Sequence, residues 1–174
     1  MPLRRGGLLT VPGRATATSA GLLLHRPGTG GTEVLLGRMG GPFWARRDHA
    51  WTVPKGEPEP GEDPHATALR EFAEEVGVPA PVGVRPDVDL GEVRQRAGKV
   101  VRAWAREADL DLDALPATRG PVSEATITWP PRSGRTVTFP ELGELRWLTV
   151  DEARPLLVTA QVELLDRLVA HLAG

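Results

Sequence analysis

The chain has 174 residues, of which 40% are hydrophobic, a size and apolar content that suit one globular domain with a sizeable core. A net charge of -2 lacks the basic footprint of a dedicated nucleic-acid binder, so an anionic substrate has to be met by a local patch. The absence of cysteine excludes disulfides, thiolate metal sites and a cysteine nucleophile.

Residues 1–14 read as an N-terminal arm rich in Gly, Pro and Arg, and its apolar piece from Gly7 to Val11 is shorter than a secretory core. No run approaches the ~18 apolar residues of a membrane span, so a soluble, cytoplasmic protein is expected, with residues 15–174 as a single domain. A first strand is expected over Thr16 to His25, a turn at Pro27-Gly28-Thr29-Gly30-Gly31, and a second strand over Glu33 to Arg38, together a hairpin. Trp51-Thr52-Val53 is a short strand stopped by Pro54. From Pro54 to Asp63, three prolines and two glycines argue against any regular element.

A helix starts directly afterwards. Asp63 is a good N-cap, Pro64 suits the first helical position, and Gly77 supplies the stop. Val88 to Arg94 and Lys99 to Arg106 form a strand pair around Gly98. Glu107 to Pro121 is a loop with room for one helical turn; its Asp109, Asp111 and Asp113 lack the glycine and terminal glutamate of a calcium loop and read as solvated. Ala125 to Trp129, Thr136 to Phe139 and Leu145 to Leu148 are further strands. Thr149 and Glu152 form a capping box for a short helix limited by Pro155. In the last helix, Gln161 to Leu172, the expected apolar face is Val162, Leu165, Leu168, Val169 and Leu172. Strands and helices mixed without regular alternation predict an α/β domain with a mixed sheet.

On a helical wheel, Ala66, Leu69, Phe72, Ala73 and Val76 share one side of the 63–76 helix, which is expected to face the core. Glu71, Glu74 and Glu75 share the opposite side, with Arg70 at its border. Like charges three and four residues apart repel by a few tenths of a kcal/mol per pair. A solvated acidic face partly neutralised by Arg70 is one account of them. The other is metal binding: Glu62 lies in the glycine-containing loop just before the helix, and hard oxygen ligands converging from a loop and a helix suit Mg²⁺ or Mn²⁺.

The segment Gly56 to Val78 satisfies every defined position of the Nudix box: Gly56, Glu62, Arg70, Glu71, Phe72, Glu74, Glu75, Gly77 and Val78. The chain therefore resembles the Nudix hydrolase family. That resemblance implies an α/β/α sandwich with a mixed β-sheet between helices, and a divalent-metal-dependent pyrophosphohydrolase. It further implies that Glu71, Glu74 and Glu75 bind Mg²⁺ or Mn²⁺, that Arg70 orients carboxylates by salt bridging, and that Glu62 supports the loop, with Gly77 as a structural stop. Glu71 is the first candidate for the general base. Many members add a carboxylate from the loop before a Trp-bearing late strand, for which Glu141 is the first choice here and Glu144 the second.

Arginine outnumbers lysine 19 to 2, so Lys55 and Lys99 stand out as candidate phosphate contacts, as does Arg46; chance surface lysines are the alternative. Lys55 and Gly56 sit at the start of the box as candidate substrate contacts. Phe43 and Trp44 are expected to serve packing ahead of base stacking. The resemblance points to a nucleotide or related small-molecule pyrophosphate as substrate, a nucleoside triphosphate or dinucleoside polyphosphate foremost. A catalytically silent nucleotide sensor and an RNA 5′-end pyrophosphohydrolase are the alternatives, the latter disfavoured by the mild acidity.

Overall fold

Leu22, Leu23 and Leu24 are each fully buried, which requires a strand covered on both faces. The computed structural model describes residues 17–174; the arm expected over residues 1–14 lies outside the described residues. In chain order the elements are β1 (Thr18–Gly28), β2 (Gly31–Met39), β3 (Trp51–Thr52), β4 (Lys55–Gly56), α1 (Pro64–Val76), β5 (Val88–Arg94), β6 (Val100–Glu107), α2 (Leu115–Thr118), β7 (Glu124–Thr128), β8 (Thr136–Pro140), β9 (Leu142–Thr149), α3 (Val150–Ala153) and α4 (Val162–Ala173).

β1 pairs antiparallel with β2 and parallel with β6, which makes the sheet mixed, as expected. The β1–β2 hairpin is paired only near its turn, from His25↔Val34 to Gly28↔Gly31. Farther along, the two strands separate, and β3 on β2 and β4 on β1 fill the gap. β9 takes the far edge of β2, and β5 the far edge of β6. One face of this sheet packs with α4 on a core that includes Leu23, Leu36, Leu157, Leu164 and Leu168. The other face packs with α1 on a core that includes Leu22, Leu24, Phe72 and Trp104. The architecture is therefore an α/β/α sandwich, with β7 and β8 as a separate hairpin.

Three expectations need correction. First, the loop after Pro54 does hold a strand: Lys55 and Gly56 pair with Gly21 and Ala20. Proline is tolerated just before them because Pro54 contributes only its carbonyl, which accepts from the Leu22 amide at 3.1 Å. Second, α4 buries Leu164, Leu165 and Leu168 and exposes Val169 and Leu172, so its inner face is rotated from the one expected. Gln161, fully buried just before α4, extends that face by bonding the Val53 amide and Thr52 hydroxyl. Third, α1 buries Thr67, Ala68, Phe72 and Val76 together with Glu71 and Glu75, while Ala66 is exposed. Its acids are thus not a face opposite the core. Two of them border the core, because α1 lies against β1 and β4 and these carboxylates reach β4.

Candidate active site

Local rules set the frame of α1. The Asp63 carboxylate accepts from the amides of His65 and Ala66 at 3.0 Å, and Gly77 caps the other end with φ +86, its amide donating to Ala73 O. Between these caps Arg70 gathers the acids. Its Nε and Nη2 donate to the two oxygens of Glu62 at 2.8 and 2.9 Å, its Nη1 to Glu71 at 2.9 Å and Glu74 at 3.1 Å, and Nη2 also to Glu57 O. Glu62 in turn accepts from the Glu59 amide and the Thr67 hydroxyl. The Arg70 guanidinium holds the Glu62 carboxyl down at about 2, with the Glu59 contact adding to this. The loop from Gly56 to Asp63 is thereby fastened to α1 through one guanidinium fork.

Glu71 and Glu75 are 9% and 5% exposed. Glu75 Oε2 accepts from the Lys55 amide at 2.8 Å, so the inserted strand β4 is tied directly to the helix. The Glu71 carboxyl lies over Gly56 so closely that a Cβ there would come within 2.0 Å of it. Burial pushes Glu75 up to about 8 against the pull of Lys55, and the charges of Glu141 and Glu71 push it further. Burial also raises Glu71, opposed by Arg70 and reinforced by Glu74 and Glu141. For the Lys55 amine, burial and the charge of Lys99 outweigh Glu75, Glu141 and Glu71 and lower its pKa.

Glu141 reaches this group from the far end of the chain. It is the one-residue joint between β8 and β9, with its amide on Ser123 O and its carbonyl accepting from the Gly40 amide. The Ser123 amide in turn donates to Glu74 O, so α1 and this joint are linked through one residue. Glu144, the second choice, pairs with Arg146 at 2.6 Å and does not line the cavity described next.

A 490 Å³ cavity opens beside these acids. Lys55, Glu75 and Glu141 line it together with Phe43, Trp44, Ile127, Trp129 and Phe139. Phe43 and Trp44, expected to serve packing, are therefore cavity walls, in edge-to-face contact with ring centroids 5.0 Å apart. Ile127, Trp129 and Phe139 were not singled out from the sequence. Their signal was alternation in a strand with threonines between its apolar residues, a one-sided face for which the main sheet has no place. Arg46 does not line this cavity, and neither does Lys99, which lies just before β6.

Among the described residues, no three acidic or histidine side chains are already gathered as a metal site. Glu71 and Glu74 are held by Arg70, and Glu75 by the Lys55 amide. The donor chemistry nevertheless fits a hard divalent cation: every donor is a carboxylate oxygen, and burial disfavours the charged forms of Glu71 and Glu75, a cost that a bound cation would offset.

The family model for the NUDIX domain matches residues 15–168. The chain belongs to the Nudix hydrolase family. A curated relative, the RNA pyrophosphohydrolase of Rhodospirillum rubrum, is 30% identical over 165 residues, covering 90% of this chain and 92% of the relative. Among solved structures, a C. elegans Ap4A hydrolase binary complex matches with a TM-score of 0.58 and 23% identity, over 91% of this chain and 99% of that one. The NUDIX domain of Shewanella oneidensis NrtR, complexed with ADP ribose, matches with a TM-score of 0.60 and 14% identity over 94% of each chain. At such identities the two structures speak for the shared fold alone. Among the described residues, no helix is long and apolar enough to cross a membrane.

Proposed function

We propose that this Nudix hydrolase cleaves a phosphoanhydride bond in a nucleoside diphosphate derivative, with Mg²⁺ or Mn²⁺ held by Glu71, Glu74, Glu75 and Glu141. The observation that carries this reading is the composition of one cavity, with Lys55, Glu75 and Glu141 among its ionisable walls and Phe43, Trp44, Trp129 and Phe139 among its aromatic ones. A nucleotide has the same division: a base that stacks on aromatic rings for about 1–3 kcal/mol, and phosphates that need cations. The volume lies within the ordinary ligand-site range of roughly 300–1,000 Å³.

A divalent cation, when bound, neutralises the attacked phosphate and lowers the pKa of water. The chain's own residues do the rest. Lys55 presents an ammonium to the phosphates, with a lowered pKa that desolvation and Lys99 account for. Arg70 holds Glu71 and Glu74 in register through its fork, and Glu62 holds Arg70. Gly56 keeps space for the Glu71 carboxylate instead of touching substrate. Glu71 accepts the proton from the attacking water as the general base. The complete acidic set favours an enzyme over a silent sensor, which has no need of all the hydrolytic ligands.

Phosphate release from a panel of nucleoside triphosphates and dinucleoside polyphosphates, with Mg²⁺, Mn²⁺ or chelator, tests the reading. Turnover of at least one member is expected with metal and none with chelator; equal turnover in chelator would exclude the metal role.

A further inference from the structure

Trp44 is shared by two depressions. On its other side lies an 820 Å³ hollow lined by Arg46, Arg47, Arg96 and His49, in which Asp48 is the one acid among the described residues. Among those residues, none of the three arginines has a carboxylate partner, whereas Arg26, Arg70, Arg102 and Arg106 are all ion-paired. Three segments meet here, and each is held in place. In the loop after β2, Arg38 donates to Ala45 O, the Met39 amide to Ala50 O and the Arg47 amide to Trp44 O. His49 Nδ1 donates to Leu157 O at 3.1 Å, which ties that loop to the stretch before α4. Arg96 comes from the turn between β5 and β6, closed by the Gln95 amide on Lys99 O. The stretch from Val158 to Ala160 completes the wall. Gln161 turns its side chain inward to Val53 and Thr52, so α4 begins without a side-chain cap and adds the positive end of its dipole to the guanidinium charges.

In a chain of net charge -2, this local gathering of guanidinium groups without carboxylate partners calls for an anion. We propose that the hollow at Arg46, Arg47 and Arg96 is a second anion site, separate from the reacting cavity, which takes a free diphosphate such as inorganic pyrophosphate. It goes beyond the reading of the first cavity and does not depend on it. A guanidinium fork binds phosphate oxygens in pairs, so three forks arriving from two segments have more to hold on an anion with two phosphates than on orthophosphate. The arginines are exposed, which makes the attraction electrostatic and open to screening by salt. A nucleic-acid strand would match the charge, but Trp44 is the one indole or phenyl ring among the lining residues, and successive bases need a succession of stacking surfaces. Occupancy would be felt next door through Arg47. Its guanidinium stacks 3.8 Å over Phe43, Phe43 touches Trp44, and both rings wall the first cavity. An anion that draws Arg47 into the hollow takes it off Phe43.

The test is a calorimetric titration of the full chain with sodium pyrophosphate in chelator, where the acids of the first cavity have no cation to bridge them to a phosphate, with tryptophan emission followed in parallel. Pyrophosphate should bind, more tightly than orthophosphate, and added salt should weaken it. Arg96→Glu should raise Kd at least tenfold and Arg96→Ala by less, both variants keeping the parent's far-UV circular dichroism. Emission should change on binding in the parent and stay constant in Arg96→Glu. Absence of binding by the parent would overturn the proposal. So would a Kd untouched by Arg96→Glu, which would move the anion to Lys55, or equal affinity for orthophosphate. A 5′-hydroxyl oligonucleotide held through Arg96 more tightly than pyrophosphate would overturn it in favour of a nucleic-acid surface. Binding with no change in emission would contradict the link to Phe43 and Trp44.

Discussion

Replacing Gly56 by alanine separates the geometry of the acidic cluster from the stability of the fold. The added Cβ would lie 2.0 Å from the Glu71 carboxyl carbon and from one of its oxygens, against a comfortable separation of about 3.5–4.0 Å. The carboxylate must therefore retreat by about 1.5–2 Å. It is the end of a flexible side chain, so the backbone need not move, and the stability cost is bounded by its contact with Arg70, about 1.5–3 kcal/mol for a hydrogen bond between charged groups. That corresponds to a fall in Tm of roughly 3–12 °C for a chain of this size. Displacing a reacting group by ~1 Å costs on the order of 100-fold in rate, so kcat/KM for phosphate release should fall at least that much while far-UV circular dichroism stays native. A Gly56→Ala protein as active as the parent would refute the account of Gly56 as the space left for Glu71.

Glu75 gives a pH dependence. Its folded pKa is about 8 against an ordinary 4.5, so between these values the folded chain keeps a proton that the unfolded chain has released, and folding becomes less favourable as pH rises. In chelator, Tm should fall between about pH 5 and pH 8 by an amount reflecting a few kcal/mol, and Glu75→Gln should flatten that slope. Asp87 runs the other way. Burial opposes its charged form, but Arg106, with two hydrogen bonds of 2.7 Å, and His65 prevail and hold its pKa below the ordinary 3.8. Its stabilisation is complete above that value and lost as pH falls through the lower folded one. Asp87→Asn should remove about 3–5 kcal/mol, lower Tm by roughly 10 °C, and leave kcat unchanged. Trp129→Ala should raise KM for a nucleotide about tenfold by removing a stacking surface, with kcat kept; an unaltered KM would take Trp129 out of the substrate site.

The parts of this structure legible in the sequence are those set by short-range rules. Asp63, Pro64 and Gly77 bound α1 because capping acts within a turn, and Thr149 with Glu152 forms the expected box for the same reason. The i,i+4 spacing of Arg70 and Glu74 likewise implied their salt bridge, whereas the one to Glu71 was implied by the Nudix resemblance. Which side of α1 is buried was not legible, because the Lys55 amide and Gly56 that receive Glu75 and Glu71 belong to a strand inserted into a split hairpin, a tertiary event. The aromatic wall of the cavity was hidden similarly. Trp129 and Phe139 come to the acids because Ser123 bonds both α1 and the Glu141 joint, a contact no local pattern announces.

The central claim is that the α1 carboxylates hold a divalent cation. Titrating Mn²⁺ into the protein while following free Mn²⁺ by electron paramagnetic resonance tests it directly, with Glu71→Gln/Glu75→Gln as the comparison. The parent should deplete the free-ion signal and the double variant should not, although both remain folded. Equal depletion by the two, or none by the parent even with a nucleotide present, would contradict the account.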